Sequence, residues 1–177
     1  MRATSALEND VLQRRQLLAT AVLGAGTRLG QAAKDSQAFL IVRGHINKFT
    51  DKKNKVYEFS EEEFMSLPKT SVTTSTTWTA RSKFDGPLLF DVLKHVGAAG
   101  SYLEMLALDD YSVSIPMSEL TAFNPILAHS MNGKRMTARD FGPLFLMYPR
   151  DKYPNELNKL QAQSKFIWQV RRITVVK

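Results

Sequence analysis

The sequence predicts an α+β protein: a single mixed-sheet domain with a few short helices. Two observations carry that prediction. Strand-like runs dominate the second half, whereas only two or three short segments have helical features. These elements also follow no strict β-α-β order, which argues against a doubly wound parallel sheet. The 177 residues are 44% hydrophobic and 23% charged, an ordinary composition for one globular domain.

Residues 1–32 read as an export leader. Arg14-Arg15 precedes the short apolar run from Leu17 to Gly26, and small residues follow from Gly30 to Ala33. The run has about half of the ~20 residues that a membrane-crossing helix needs. A basic flank, a short apolar core and a small-residue end are the parts of a cleaved signal peptide. The arginine pair followed by Leu17-Leu18 gives it the twin-arginine type and predicts a periplasmic protein. An uncleaved anchor or an amphipathic helix is the alternative. Residues 33–177 then form the domain. The net charge is +7, but Arg2, Arg14, Arg15 and Arg28 leave with the leader. The remaining charges are interspersed, so nucleic acid is not expected as a partner.

In the domain, Ala38 to Ile46 predicts a strand and Val56 to Phe59 a second, about a charged turn. Ser60 stands three residues before Glu63, the spacing of a capping box, and opens a short helix that stops before Pro68. Ser71 to Thr79 is dense in Thr and reads as extended. Gly86-Pro87 starts another helix, because Pro suits the first helical position. Leu88, Leu89, Val92, Leu93 and Val96 follow its apolar face, and Gly97 ends it. Tyr102 to Leu108 and Tyr111 to Ile115 are strands about Asp109-Asp110. Ile126 to Met131 and Arg135-Met136 flank Asn132-Gly133, a hairpin signal. Leu144 to Tyr148 is a strand ended by Pro149. Asp151 to Gln163 is a polar loop with one helical turn, and Phe166 to Val176 closes the chain as a strand.

No cysteine occurs in the chain. That removes disulfides, thiolate-held zinc, iron–sulfur clusters and thiol catalysis. His45, His95 and His129 are far apart and read as structural, and no H-E-x-x-H, G-x-S-x-G or Walker pattern is present. Three segments remain. Thr73 to Arg81 offers hydroxyls, one flat ring and one guanidinium; an edge strand with a core Trp78 is the plain alternative. Asp109-Asp110-Tyr111 sets two carboxylates beside a phenol. Neighbours on a strand face opposite ways and no further acid follows at calcium-loop spacing, so a turn with one hydrogen-bonding Asp is the alternative. Tyr148, Arg150 and Asp151 stand at a strand end, where a loop site and a surface ion pair are both served.

Read in order, these segments resemble the oxidoreductase molybdopterin-binding domain, of sulfite-oxidase-like fold. The resemblance covers nearly all of residues 38–176. It rests on Trp78, Phe84-Asp85-Gly86-Pro87-Leu88 with the helix after it, Ala107 to Tyr111 with Ile115-Pro116, and Ile126-Leu127-Ala128. Asn132-Gly133-Lys134, Gly142-Pro143-Leu144 to Tyr148-Pro149, and Phe166 to Val170 complete it. In the molybdenum enzymes of that family a cysteine thiolate ligates the metal. Counting back from Trp78 and Gly86 places Thr74 at that position, and a neutral hydroxyl is a poor donor to a thiophilic metal. The arginines and lysines that hold the cofactor's phosphate are also thin, with Phe145 where an arginine is common.

The cysteine-less exported pterin-binding proteins of the PruR type are similar to this chain without that conflict. The resemblance implies a reduced pterin, tetrahydro- or dihydropterin, bound without molybdenum. It also implies a partner: the periplasmic domain of a membrane-anchored diguanylate cyclase or phosphodiesterase of cyclic-di-GMP metabolism. A pterin is a flat bicycle whose face stacks on an aromatic ring and whose 2-amino-4-oxo edge gives two N–H bonds to a carboxylate. The expected ligand-binding residues are Trp78, Asp110, Tyr111, Arg81, Thr74, Thr76, Asp109, Tyr148 and Arg150. Asp110 stands before Asp109 for the 2-amino edge, and no catalytic or metal-binding residue is expected. The alternatives are a molybdopterin-dependent oxidoreductase with a non-cysteine ligand and a ligand-free adaptor module.

Overall fold

Strand pairing starts where the apolar alternation starts. The computed structural model describes residues 38–177; the leader predicted over residues 1–32 lies outside them. β1 (Leu40–Gly44) and β2 (Val56–Phe59) pair antiparallel, with Arg43 opposite Val56. α1 (Glu61–Ser66) follows at once. Ser60 Oγ accepts from the Glu63 N–H at 3.1 Å, which satisfies one of the free donors of the first turn. β3 (Lys69–Thr74) and β4 (Ser82–Pro87) pair antiparallel from Lys69↔Pro87 to Thr74↔Ser82. α2 (Leu89–His95) comes next, then β5 (Tyr102–Ala107), β6 (Ser112–Pro116) and α3 (Ser118–Phe123). β7 (Ile126–Ala128), β8 (Ser130–Met131), β9 (Lys134–Arg135) and β10 (Phe145–Met147) are short. A 3₁₀ turn at Arg150–Lys152, α4 (Pro154–Leu157), α5 (Leu160–Gln163) and β11 (Val170–Val176) complete the domain.

Among the described residues, three sheets result. One has the order β2-β1-β11-β5-β6, in which β1 and β11 run parallel and the other pairs antiparallel. The second has the order β3-β4-β8-β9, and β10 pairs with β7 in the third. Alternate residues point inward, as the pleat requires. Leu40 and Val42 of β1, Leu103, Met105 and Ala107 of β5, and Ile173 and Val175 of β11 are all buried. Leu89, Val92, Leu93 and Val96 supply the α2 side of the core. Strands and short helices in this mixed order make the α+β domain that the sequence predicts.

Several local expectations are corrected. The Thr-rich run is extended only as far as Thr74; residues 75–81 leave the sheet. Gly86-Pro87 is not a helix start but the end of β4, held by pairing to Lys69 and Thr70, and α2 begins at Leu89. The run from Ile126 to Met131 breaks at His129, so that its two halves join different sheets. α3 is an element that no residue pattern announced. Its first turn has no side-chain cap, and its end is set by Asn124 in the left-handed region at φ 50°. The closing strand starts at Val170 rather than Phe166.

Candidate functional site

A cavity of about 460 Å³ opens where the end of β5 meets the segments on either side of α5. Its walls are largely aromatic and aliphatic. Trp78 and Trp168 meet edge to face, with ring centroids 4.9 Å apart and planes at 73°. Tyr111, Phe166 and Ile167 extend the apolar lining, and Asp109, Thr77, Gln163 and Ser164 supply the polar groups. Trp78 and Tyr111 are 46% and 45% exposed, unusual for large rings with a core available.

Each wall has a local cause. Thr76 is buried, and its Oγ1 accepts from the backbone N–H groups of Trp78 and Thr79 at 3.1 and 2.9 Å. That side-chain turn closes the loop after β3 and holds Trp78 at its tip. Asp109 Oδ1 accepts from the Tyr111 N–H at 3.1 Å, and Asp110 takes φ 65°, a conformation Asp tolerates better than most residues. Gln169 is also left-handed, at φ 54°, and its carbonyl accepts from the Leu108 N–H at 3.0 Å. This fixes Trp168 beside the end of β5. Two bonds hold α5 and the residue after it to the opposite wall. Thr77 Oγ1 donates to Gln163 Oε1 at 3.0 Å, and Tyr111 Oη donates to the Ser164 carbonyl at 2.9 Å.

Thr74 lies fully buried at the end of β3 in a network of its own. Its Oγ1 donates to Asp151 Oδ1 at 3.1 Å and accepts from the Asp151 N–H at 3.2 Å. Ser75 donates to the same oxygen from its backbone N–H and its hydroxyl, at 3.3 and 3.2 Å, and Arg81 Nε stands 3.3 Å from Asp151 Oδ2. Burial pushes the Asp151 carboxyl upward, but the Ser75 and Thr74 bonds and the Arg81 charge together hold it below its ordinary value. A neutral hydroxyl engaged in both directions, with no cysteine in the chain, does not fit a molybdenum ion held by thiolate. Among the described residues, no three His, Asp or Glu side chains converge as a metal site either.

Of the expected site residues, Trp78, Asp109 and Tyr111 line the cavity together. Thr74, Arg81 and Thr76 are not part of the lining: the first two engage Asp151, and Thr76 shapes the turn that carries Trp78. The structure places the other three elsewhere. The Asp110 carboxylate is 2.6 Å from Arg171, and Arg150 Nε donates to Asn158 Oδ1 at 2.5 Å. Tyr148 is fully buried and donates to Glu119 Oε2 at 3.1 Å, because every residue from Leu144 to Tyr148 is enclosed. Reading the sequence missed Trp168, Gln163 and Ser164. The signal available was Trp168 itself, one of only two tryptophans in the chain, standing just ahead of the last β-branched run.

Comparison with known proteins agrees with this architecture. The family model described as the oxidoreductase molybdopterin binding domain matches residues 49–152. The crystal structure of the sulfane dehydrogenase SoxCD from Paracoccus pantotrophus is similar over 80% of this chain, with a TM-score of 0.59 and 16% sequence identity. At that identity the likeness concerns the fold alone, and the chain spans 38% of the SoxCD chain. No curated protein sequence matches. With the family match extending over more than half of its length, from the charged turn after β1 to the 3₁₀ turn that carries Asp151, the chain belongs to the oxidoreductase molybdopterin binding domain family.

Proposed function

We propose that this protein binds a reduced pterin without metal, as the PruR-type proteins that it resembles do, and that it acts as a regulator rather than a catalyst. The observation that carries the reading is the aromatic cavity. Among the described residues, two indoles, a phenol and one carboxylate line a volume within the range of small-molecule sites, about 300–1,000 Å³. Flat faces suit the rings, and the N–H donors of a pterin edge suit the carboxylate. The Thr74 network supports the absence of metal, since the hydroxyl at the expected ligand position already serves Asp151. The twin-arginine-type leader supports a periplasmic location. The resemblance supports a partner in the periplasmic domain of a membrane-anchored cyclic-di-GMP enzyme.

The chain has two tryptophans and both line the cavity, so intrinsic fluorescence reports on it directly. Anaerobic titration of protein stripped of endogenous ligand by unfolding and refolding is expected to show saturable quenching by tetrahydro- or dihydropterin. Trp78→Ala, checked for folding by circular dichroism, is expected to bind at least about tenfold more weakly, through lost aromatic contact. Absence of saturable binding to the refolded wild type would overturn the reading. Molybdenum near one atom per chain, with turnover of a sulfur-oxide substrate, would replace it with an enzyme.

A further inference from the structure

Charge around the cavity narrows the ligand, on the reading that a pterin binds there. Among the described residues, Asp109 is the one carboxylate in the lining, and no Lys, Arg or His is part of it. Cations close by in the chain are turned to other acids. Arg81 pairs with Asp151 at 3.3 Å, Arg171 with Asp110 at 2.6 Å, and Lys165 with Glu119. Lys159 is exposed just ahead of Leu160 and is not part of the lining. Asp109 Oδ1 is fixed by the Tyr111 N–H, while no protein donor among the described residues reaches Oδ2.

We propose that this cavity selects a pterin that carries no phosphate, and that Asp109 makes the selection. Its carboxylate accepts N–H bonds from the 2-amino edge, and the same charge repels a phosphorylated side chain. Asp109 is itself exposed, so salt weakens its field. A phosphate on a ligand held in a cavity of about 460 Å³ still stays within the Debye length of roughly 8 Å at physiological salt, and the repulsion is only partly screened. With no cation among the described lining residues, no countercharge from them offsets the loss of phosphate hydration.

The test is calorimetric titration of the full chain, stripped of endogenous ligand, with three probes. They are a tetrahydropterin with a hydroxylated side chain, its phosphate monoester, and the analogue with a 2-oxo group in place of the 2-amino group. The monoester and the 2-oxo analogue are each expected to bind at least about tenfold more weakly than the parent. Asp109→Asn keeps an oxygen for the Tyr111 N–H but loses the charge, and should bring the parent and the monoester to within about threefold of each other. Glu104→Gln, an equal charge change on β5 outside the lining, should leave the wild-type ratio in place. A second measurement needs no variant: raising salt from about 0.05 to 0.5 M should shrink the deficit of the monoester. Equal or tighter binding of the monoester by wild type overturns this inference alone, as does a deficit that neither salt nor Asp109→Asn changes. Binding of none of the three probes overturns the pterin reading as well.

Discussion

Asp85 and Asp151 are both held below the ordinary carboxyl value, with different balances of cause. At Asp85, which is buried on β4, the largest influence is the Ser71 hydroxyl donating to Oδ1 at 2.5 Å. Burial works upward, and the Lys83 ammonium at 3.6 Å adds to the lowering. At Asp151 burial is the largest single influence and is outweighed by the sum of the donors. A carboxyl whose folded value lies below its unfolded one contributes stability that is complete above the unfolded value, taken as 3.8, and is lost as pH falls through the folded value. Denaturant unfolding of the wild type should therefore weaken as pH falls below about 4 and on through the lower folded values, and Asp85→Asn should flatten that acid limb. A variant with the same acid slope as the wild type would remove Asp85 from the account. Side-chain chemistry of this kind was only half legible in the sequence. Asp109-Asp110-Tyr111 could be picked out as two carboxylates beside a phenol, but Asp110, the first expectation for the ligand edge, pairs with Arg171, and it is Asp109 that lines the cavity. Tyr148 could not be separated from a site residue until β10 was seen to be enclosed on both faces, with Glu119 arriving from α3 to accept its hydrogen bond.

Elements were legible where the cause is local and hidden where a distant strand decides. The Ser60 cap of α1 and the apolar face of α2 follow from spacing within a few residues, and both are present. Gly86-Pro87 looks locally like a helix start, yet pairing with β3 makes it strand. Close approach explains the glycine. A Cβ at Gly86 would collide with the Leu127 carbonyl oxygen and lie 2.7 Å from Ala128 Cα, and these are backbone atoms that cannot swing aside. β4 and β7 thus approach to a distance that only glycine allows, which also sets where Leu88 bridges to Ile126 and where α2 begins. Leu93 then packs into the core at 2% exposure. Leu93→Ala should cost roughly 2–5 kcal/mol, a transfer term plus a cavity term. Leu160→Ala, at an 83% exposed position, should cost about 0.5 kcal/mol or less. Chemical denaturation followed by circular dichroism compares the two, and equal losses would show that α2 does not carry the core as described.

At the scale of the whole molecule, the cavity is a product of topology rather than of any one segment. Trp78 follows β3, Asp109 and Tyr111 follow β5, and Trp168 precedes β11; the sheet brings the last two together by pairing β5 with β11. Contacts such as Thr77 to Gln163, 86 residues apart, have no local signature, so half of the wall was beyond the reach of pattern reading. The same construction makes the wall near α5 its weakest part. α4 and α5 are single turns, and α5 offers the strongly exposed Leu160. Side-chain bonds tie this region to Thr77 and Tyr111. Short segments of this kind open at the low end of the local stability range. A ligand that binds only the folded cavity stabilises it by mass action, about 2.7 kcal/mol at a concentration 100 times its dissociation constant. Reduced pterin should accordingly raise the unfolding midpoint of the wild type. Amide hydrogen exchange should slow most across residues 160–168, which supply this wall, with a smaller response in residues 107–111. In β2 and α1, which have no residue in the lining, it should change only as far as global stability rises. Protection centred on α1 and β2 instead would mean that the ligand sits elsewhere, and the aromatic cavity would lose its role even if pterin binding itself were real.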